Sequence, residues 1–356
     1  MRIIIAGGGT GGHVFPAISI ADEISERNNN DEILFVGTQK GMENELVKKN
    51  GYQIKHISSR GFVGRGFIKT ILAFFFALKG VFDSISIIRK FKPDVALGVG
   101  GYVSGPFLLA SFLVRKPTAI CEQNTVPGVT NRILGKIVDK IFASYDSSVQ
   151  YFPSKKVLIT GNPIRKDILK TSDNARNSDS ISVLIFGGSQ GAYSLNRAVP
   201  EALSKIEHHS ISIIHQTGKK DFEYVKDLYA NSGVNAEVLP FIDDMALAYG
   251  KSDLVIGRAG AGTIAEITAL GKPSILVPFP YAAHNHQLEN AKILEQQGAS
   301  VLIEDKEATS EKLAHILTNL MDKDKLNTMS LNARKLGRPE ASREIVDELY
   351  KLAGDK

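Results

Sequence analysis

Apolar residues along the chain gather in short runs near 2–6, 33–36, 94–98, 118–121 and 141–143, separated by longer amphipathic segments. Runs of that length between helical-period stretches predict strands alternating with helices, the doubly wound α/β pattern. The chain then passes Tyr151-Phe152-Pro153 and Gly161-Asn162-Pro163, crosses a polar stretch at 171–180, and begins a second series. Its strands are expected at 181–186, 211–215, 236–239, 253–256, 274–277 and 300–303. A chain of 356 residues can bury two such cores. Two Rossmann-like domains, 1–162 and 163–338, are therefore expected to face each other across a cleft, with the linker near Asn162.

Both series contain a strand that runs into glycines. The first enters Gly7-Gly8-Gly9-Thr10-Gly11-Gly12-His13, the second Gly187-Gly188-Ser189-Gln190-Gly191-Ala192. Each turn opens a helix, so its backbone N–H groups and the helix dipole can face an anion or a developing negative charge. The halves share a further stretch, Asp94-Val95-Ala96-Leu97-Gly98 against Asp253-Leu254-Val255-Ile256-Gly257.

The segment 67–90 is apolar and contains Phe74-Phe75-Phe76, but Lys69, Lys79 and Asp83 interrupt it before it reaches membrane-spanning length. Three consecutive helical residues sweep about 200°, wider than a core-facing stripe, so one phenylalanine should point outward. Arg60 and Arg65 lie nearby, and an apolar surface edged with cations suits a protein resting on anionic lipid. A buried core helix or a partner interface is the ordinary alternative.

The net charge of +5 fits a diphosphate ligand or an anionic membrane surface, and the absence of a basic tail leaves nucleic-acid binding unsupported. The single cysteine, Cys121, excludes internal disulfides and reads as a small buried hydrophobe. The apolar start is too short for a signal sequence, which predicts a cytoplasmic protein. The first turn lacks a P-loop lysine. It matches Gly-x-Gly-x-x-Gly literally, yet the second strand ends in Gly37-Thr38 rather than an acid, which disfavours a dinucleotide. Asp322-Lys323-Asp324 sits in a charged helical tail and reads as surface, so no metal and no cofactor is expected.

His13 falls in the first turn of a helix, where the dipole disfavours imidazolium and leaves a neutral ring able to accept a proton. A plain hydrogen-bonding role is the alternative. In the 258–266 turn, small residues permit close backbone approach, and Glu266 could accept hydrogen bonds from vicinal sugar hydroxyls. A polar cluster, Asn285-His286-Gln287-Leu288-Glu289-Asn290, follows Pro278-Phe279-Pro280 at another strand end, where ligands of open α/β sheets bind.

These stretches, with Gly100-Gly101-Tyr102-Val103-Ser104-Gly105-Pro106, Glu122-Gln123-Asn124, Gly161-Asn162-Pro163-Ile164-Arg165 and Phe241-Ile242-Asp243-Asp244-Met245, occur in the order seen in the MurG family of glycosyltransferases. The resemblance runs from Met1 past Asn290. It implies a GT-B fold in which the last helix, after Pro339, returns to an acceptor- and membrane-binding first domain. The second domain would hold UDP-GlcNAc. The implied reaction moves GlcNAc to the C4 hydroxyl of a MurNAc-pentapeptide on undecaprenyl diphosphate, with inversion, at the cytoplasmic face of the bacterial membrane. Other cell-wall synthesis proteins would be further partners.

Carried over position by position, Thr10, Gly11 and Gly12 approach the donor sugar, and Asn124, Arg165, Ser189 and Gln287 bond donor groups. Ile242 would meet uracil and Glu266 the ribose. His13 and Glu122 are the rival bases, and Phe67, Lys69, Phe74, Phe75, Phe76 and Lys79 form the membrane patch, joined by Phe112. Oriented N–H groups and Arg165 can meet the leaving charge without a metal. Cys121 stands where the family usually has histidine, so no role of that histidine transfers. A UDP-GlcNAc 2-epimerase and a non-catalytic membrane scaffold are the competing readings.

Overall fold

The computed structural model describes residues 1–39, 41–59, 67–171, 180–188, 190–206 and 211–354, with backbone alone over 67–74. It divides into two compact units, Met1–Arg165 with Arg338–Lys356, and Lys166–Gly337.

In the first unit the strands are β1 (Arg2–Ala6), β2 (Glu32–Gly37), β3 (Gln53–His56), β4 (Val95–Gly98), β5 (Thr118–Glu122), β6 (Lys140–Ala143) and β7 (Val157–Ile159). They form one parallel sheet in the order β3-β2-β1-β4-β5-β6-β7. Helices α1 (Gly11–Arg27), α2 (Glu43–Lys49), α3 (Phe67–Phe91), α4 (Ser104–Leu113) and α5 (Val129–Leu134) connect them. The second unit opens with α6 (Lys166–Leu169). It then carries β8 (Ile181–Phe186), β9 (Ile211–Gln216), β10 (Ala236–Leu239), β11 (Leu254–Gly257), β12 (Ser274–Leu276) and β13 (Ser300–Leu302). This sheet is also parallel, in the order β10-β9-β8-β11-β12-β13. Its remaining helices are α7 (Tyr193–Leu203), α8 (Phe222–Ser232), α9 (Met245–Lys251), α10 (Ala261–Leu270), α11 (His286–Gln296), α12 (Ser310–Leu320) and α13 (Lys323–Leu336). The closing helix α14 (Ala341–Gly354) belongs to the first unit.

Strand residues in the middle of a sheet covered on both faces have no solvent side, so they read as unbroken apolar runs. In β1, Ile3 and Ile5 join a core with α1 and α14, through Ile20, Ile24, Ile345 and Leu349. The intervening Ile4 and Ala6 join the opposite core, with Val81 and Ile88 of α3 and Phe107 and Leu108 of α4. Cys121 lies in the first of these cores, and burial pushes its thiol pKa far up. Strands β3 and β7, which the apolar pattern did not predict, are the two edges of the sheet, short and poorly buried. Edge strands give little hydrophobic signal because one flank faces solvent.

The stretches shared by the two halves have the same task. The Asp94 carboxylate accepts from Arg2 N at 2.7 Å and clamps β4 beside β1. Asp253 accepts from Ser182 N at 2.7 Å and clamps β11 beside β8. Near the end of the first unit's opening stretch, the Arg165 guanidinium stacks 4.9 Å above Phe15 of α1. Where the chain re-enters that unit, Arg338 lies against Gly161.

His215, in β9, is wholly buried between Tyr229 Oη at 3.0 Å and Asn196 Oδ1 at 3.2 Å. Burial lowers its pKa from 6.5 to about 3. Its neutral form is bound in the native state while the unfolded chain takes up the proton. Its contribution is thus complete above pH 6.5 and is lost as pH falls toward 3. We predict that native stability, followed by urea unfolding, falls below pH 6.5 by about 1.4 kcal/mol per pH unit more steeply than in His215→Gln. Equal slopes would show that His215 is already charged in the fold.

Candidate active site

In each sheet the chain reverses direction of travel between the two central strands, and the loops leaving their carboxyl ends border a crevice suited to ligands. In the first unit these loops follow β1 and β4. Thr10 caps α1 in extended conformation with no side-chain cap bond, and Thr10 and Gly12 are exposed while Gly11 is half-buried. The two loops touch. Gly101 has φ +80°, and a Cβ there would lie 2.2 Å from Gly8 O, so only glycine permits this approach. The His13 ring rests against Gly100, with Nδ1 3.3 Å from Gly8 O. That bond requires the hydrogen on Nδ1 and leaves the ring's lone pair on Nε2.

Behind this turn lies Glu43, which the sequence reading passed over. Its buried carboxylate accepts from Gly9 N (3.1 Å), Thr38 N (2.9 Å) and Thr38 Oγ1 (2.9 Å). Burial pushes the carboxyl pKa up, but the N–H and O–H donors outweigh it and hold the group below its ordinary value. The first turn is therefore unlike the anion cradle that its glycines suggest. A carboxylate already occupies Gly9 N–H. The available signal was Gly41-Met42-Glu43 just after Gly37-Thr38, a glutamate in a first helical turn.

Glu122 ends β5 and is buried. Its Oε1 accepts from Asn124 N at 3.0 Å and from Asn124 Nδ2 at 3.4 Å, and its Oε2 from Asn131 Nδ2 at 2.8 Å. Burial raises its pKa, opposed by these bonds. So placed, the carboxylate organises the loop from Asn124 to α5. Asn131 was missed because its partner lies across that loop. Arg165, stacked on Phe15 two residues beyond His13, is brought to the same end of the unit.

On the outer side of this unit, Phe75 (60% exposed), Leu78 and Phe82 (63% exposed) form one stripe of α3, opposite its buried Val81, Ser84 and Ile88. Lys79 is exposed beside them and Phe76 is half-buried. Phe112 and Leu113 of α4 and Val129 and Ile133 of α5 are exposed as well. The side chains of Phe67, Lys69 and Phe74, and all of Arg60 and Arg65, lie outside the described residues. No described helix is long and apolar enough to cross a membrane.

In the second unit the crevice loops follow β8 and β11. Ser189 lies outside the described residues, but the turn around it is braced. Gly191 has φ +75°, and a Cβ there would meet Thr217 O at 1.8 Å. Gln216 Nε2 donates to Gly188 O at 2.9 Å, while its Oε1 accepts from Ile242 N at 2.8 Å. Ile242 is buried, with its N–H thus occupied. Arg258 is a strut, donating to Val277 O (3.0 Å), Pro278 O (3.1 Å), Ser194 Oγ (3.1 Å) and Asp305. Glu266 Oε2 accepts from Tyr249 Oη at 2.9 Å. Gln287 Oε1 accepts from Phe279 N at 2.9 Å, after two left-handed residues, His284 (φ 52°) and Asn285 (φ 54°). Asp322, of the Asp-x-Asp stretch, caps α13 by accepting from Asp324 N and Lys325 N.

Residues 3–143 match the glycosyltransferase family 28 N-terminal domain and residues 182–345 its C-terminal domain. Fold and loops together define a two-domain glycosyltransferase of the GT-B class. A Myxococcus xanthus protein is 44% identical over 98% of this chain and 92% of its own length. One from Geobacter sp. (strain M21) is 47% identical over 97% and 95%. Both carry the name UDP-N-acetylglucosamine--N-acetylmuramyl-(pentapeptide) pyrophosphoryl-undecaprenol N-acetylglucosamine transferase. The crystal structure of Acinetobacter baumannii MurG superposes with a TM-score of 0.82 at 34% identity, covering 98% of this chain and 99% of that one. The chain belongs to this family, the MurG glycosyltransferases. A Neisseria meningitidis UDP-GlcNAc 2-epimerase superposes with a TM-score of 0.70 over 99% of this chain and 100% of its own, but at 16% identity shares the fold alone.

The contact between the first two loops makes Gly101→Ala costly, by about 3 kcal/mol from positive φ and the clash at Gly8 O. Gly128, with open space around its would-be Cβ, should tolerate alanine within about 0.5 kcal/mol. Urea denaturation of the two variants checks the contrast, and similar midpoints would contradict it.

Proposed function

We propose that this chain transfers GlcNAc from UDP-GlcNAc to the C4 hydroxyl of the N-acetylmuramyl pentapeptide carried on undecaprenyl diphosphate, with His13 as general base. The observation that carries the assignment is the ring of His13, set against Gly100 with Nδ1 toward Gly8 O. Nε2 then takes the C4 proton as the oxygen attacks the anomeric carbon from the face opposite UDP. One displacement inverts the centre and releases lipid II and UDP. Glu122 is assigned the loop, because its carboxylate is enclosed by Asn124 and Asn131.

The departing diphosphate needs donors fixed before the reaction, since reorienting dipoles during it would raise the barrier. We assign these to N–H groups of the turn after β8, to Ser189 and to Arg165. Thr10, Gly11 and Gly12 are assigned to the donor sugar, Asn124 and Gln287 to its polar groups, Ile242 to uracil and Glu266 to the ribose. Because the Ile242 N–H is already bonded, its contact with the base falls to its other atoms. The second unit is thus the nucleotide-sugar domain and the first the acceptor domain.

The apolar stripe on α3 and the exposed faces of α4 and α5 support peripheral docking on the cytoplasmic leaflet, where the acceptor's lipid tail resides. Phe67, Lys69 and Phe74 belong to the same proposal.

With a lipid I analogue as acceptor, UDP release by His13→Ala should fall about 10²- to 10⁴-fold in kcat, with the donor KM little changed. Equal weakening of both would remove His13 from the chemistry. Replacing Phe75 and Phe82 together by serine should lower binding to phosphatidylglycerol vesicles at least about tenfold, with transfer to a water-soluble acceptor retained. Unchanged vesicle binding would place the membrane surface elsewhere.

A further inference from the structure

Tyr249 is the largest wholly buried side chain of α9, and the assignments above give it no part. Its ring packs edge-on against Phe186, with centroids 6.0 Å apart and planes at 83°. Phe186 is the last residue of β8, directly before the second glycine turn. The phenol hydroxyl donates to Glu266 Oε2 at 2.9 Å from a different helix. A glutamate side chain has free rotation about three bonds, and receiving two vicinal hydroxyls at once requires its carboxylate plane to be set beforehand. A carboxylate has capacity for several donors, so a phenol and sugar hydroxyls can be held together.

We propose that Tyr249 is a positioning residue for ribose recognition: its hydroxyl, aimed by packing on Phe186, orients the Glu266 carboxylate toward the nucleotide's hydroxyls. The proposal rests on the assignment of Glu266 to the ribose. It adds that the ribose contact is built on the strand end that also launches the turn assigned to the diphosphate. The two halves of the nucleotide are then read from one rigid base. Orientation of a contact residue acts on binding and leaves the transfer step alone.

The test compares UDP-GlcNAc with its 2′,3′-dideoxyribose analogue, which lacks both vicinal hydroxyls, as donors for the parent, Tyr249→Phe and Glu266→Ala. The parent should favour the ribose donor about 10- to 100-fold in kcat/KM, the range for a hydrogen bond to a charged group. Glu266→Ala should abolish that preference. Tyr249→Phe keeps the buried ring and loses only the hydroxyl. It should cut the preference about 3- to 10-fold through a raised KM for UDP-GlcNAc, with kcat and the dideoxy donor's KM unchanged. A general loosening of the domain would instead raise KM for both donors equally, and that result, or an undiminished preference, overturns the role of Tyr249. If Glu266→Ala keeps the parent's preference, or the parent has none, the ribose assignment itself fails and takes the proposal with it.

Discussion

The pairing of the two central strands in each sheet is the constraint on which the rest depends. β1 lies against β4 and β8 against β11, in parallel, with strand order running outward on either side. Parallel strands have no connecting hairpin to set their register. Here Asp94 and Asp253 do so, each accepting an N–H at the start of the neighbouring central strand. A slip of one residue would exchange the two faces of a strand whose every side chain is buried. It would also displace the loops at the other end, which lead into His13, Ser189 and Glu266.

From the same scaffold the two glycine turns diverge. The first is backed by a carboxylate, with Gly9 N–H bound to Glu43 and the Gly100-Gly101 loop pressed against Gly8. That arrangement leaves little positive field for a phosphate and holds the His13 imidazole with Nδ1 toward Gly8 O. Behind the second, the described contacts come from a side-chain amide and a backbone carbonyl. Gln216 and the backbone of Thr217 brace it from behind, so its rigidity comes from neutral groups that do not oppose an anion. Glycine sequences alone do not distinguish these cases, because the difference lies in what stands behind the loop.

Rigid loops and an exposed apolar surface are compatible demands on the first unit because they fall on separate sides of its helices. α3 turns Val81 and Ile88 into the core and Phe75, Leu78 and Phe82 outward. Exposed phenylalanines on a folded helix are unfavourable in water and gain by leaving it, which is why such a stripe points to a surface that covers it.

Residues whose meaning is local were legible in the chain itself. The inner strands showed because burial on both faces makes them continuously apolar, and the turn with His13 showed because strand, glycines and helix start are adjacent in sequence. The likeness of the 94–98 and 253–257 stretches was visible too, although its reason, a carboxylate on the next strand, was not. Edge strands β3 and β7 escaped because partial burial leaves them no pattern. Glu43 on Gly9, Asn131 on Glu122 and Tyr249 on Glu266 escaped for a different reason. Each acts through a partner on another element, and a hydrogen bond depends on distance and direction in space. Sequence by itself determined the two doubly wound halves, the glycine turns and the family motifs, since these follow from burial period and local backbone freedom. Only tertiary structure decided which turn is backed by negative charge, which ring nitrogen carries the lone pair and which carboxylate is held by a phenol, because those depend on groups brought together by folding.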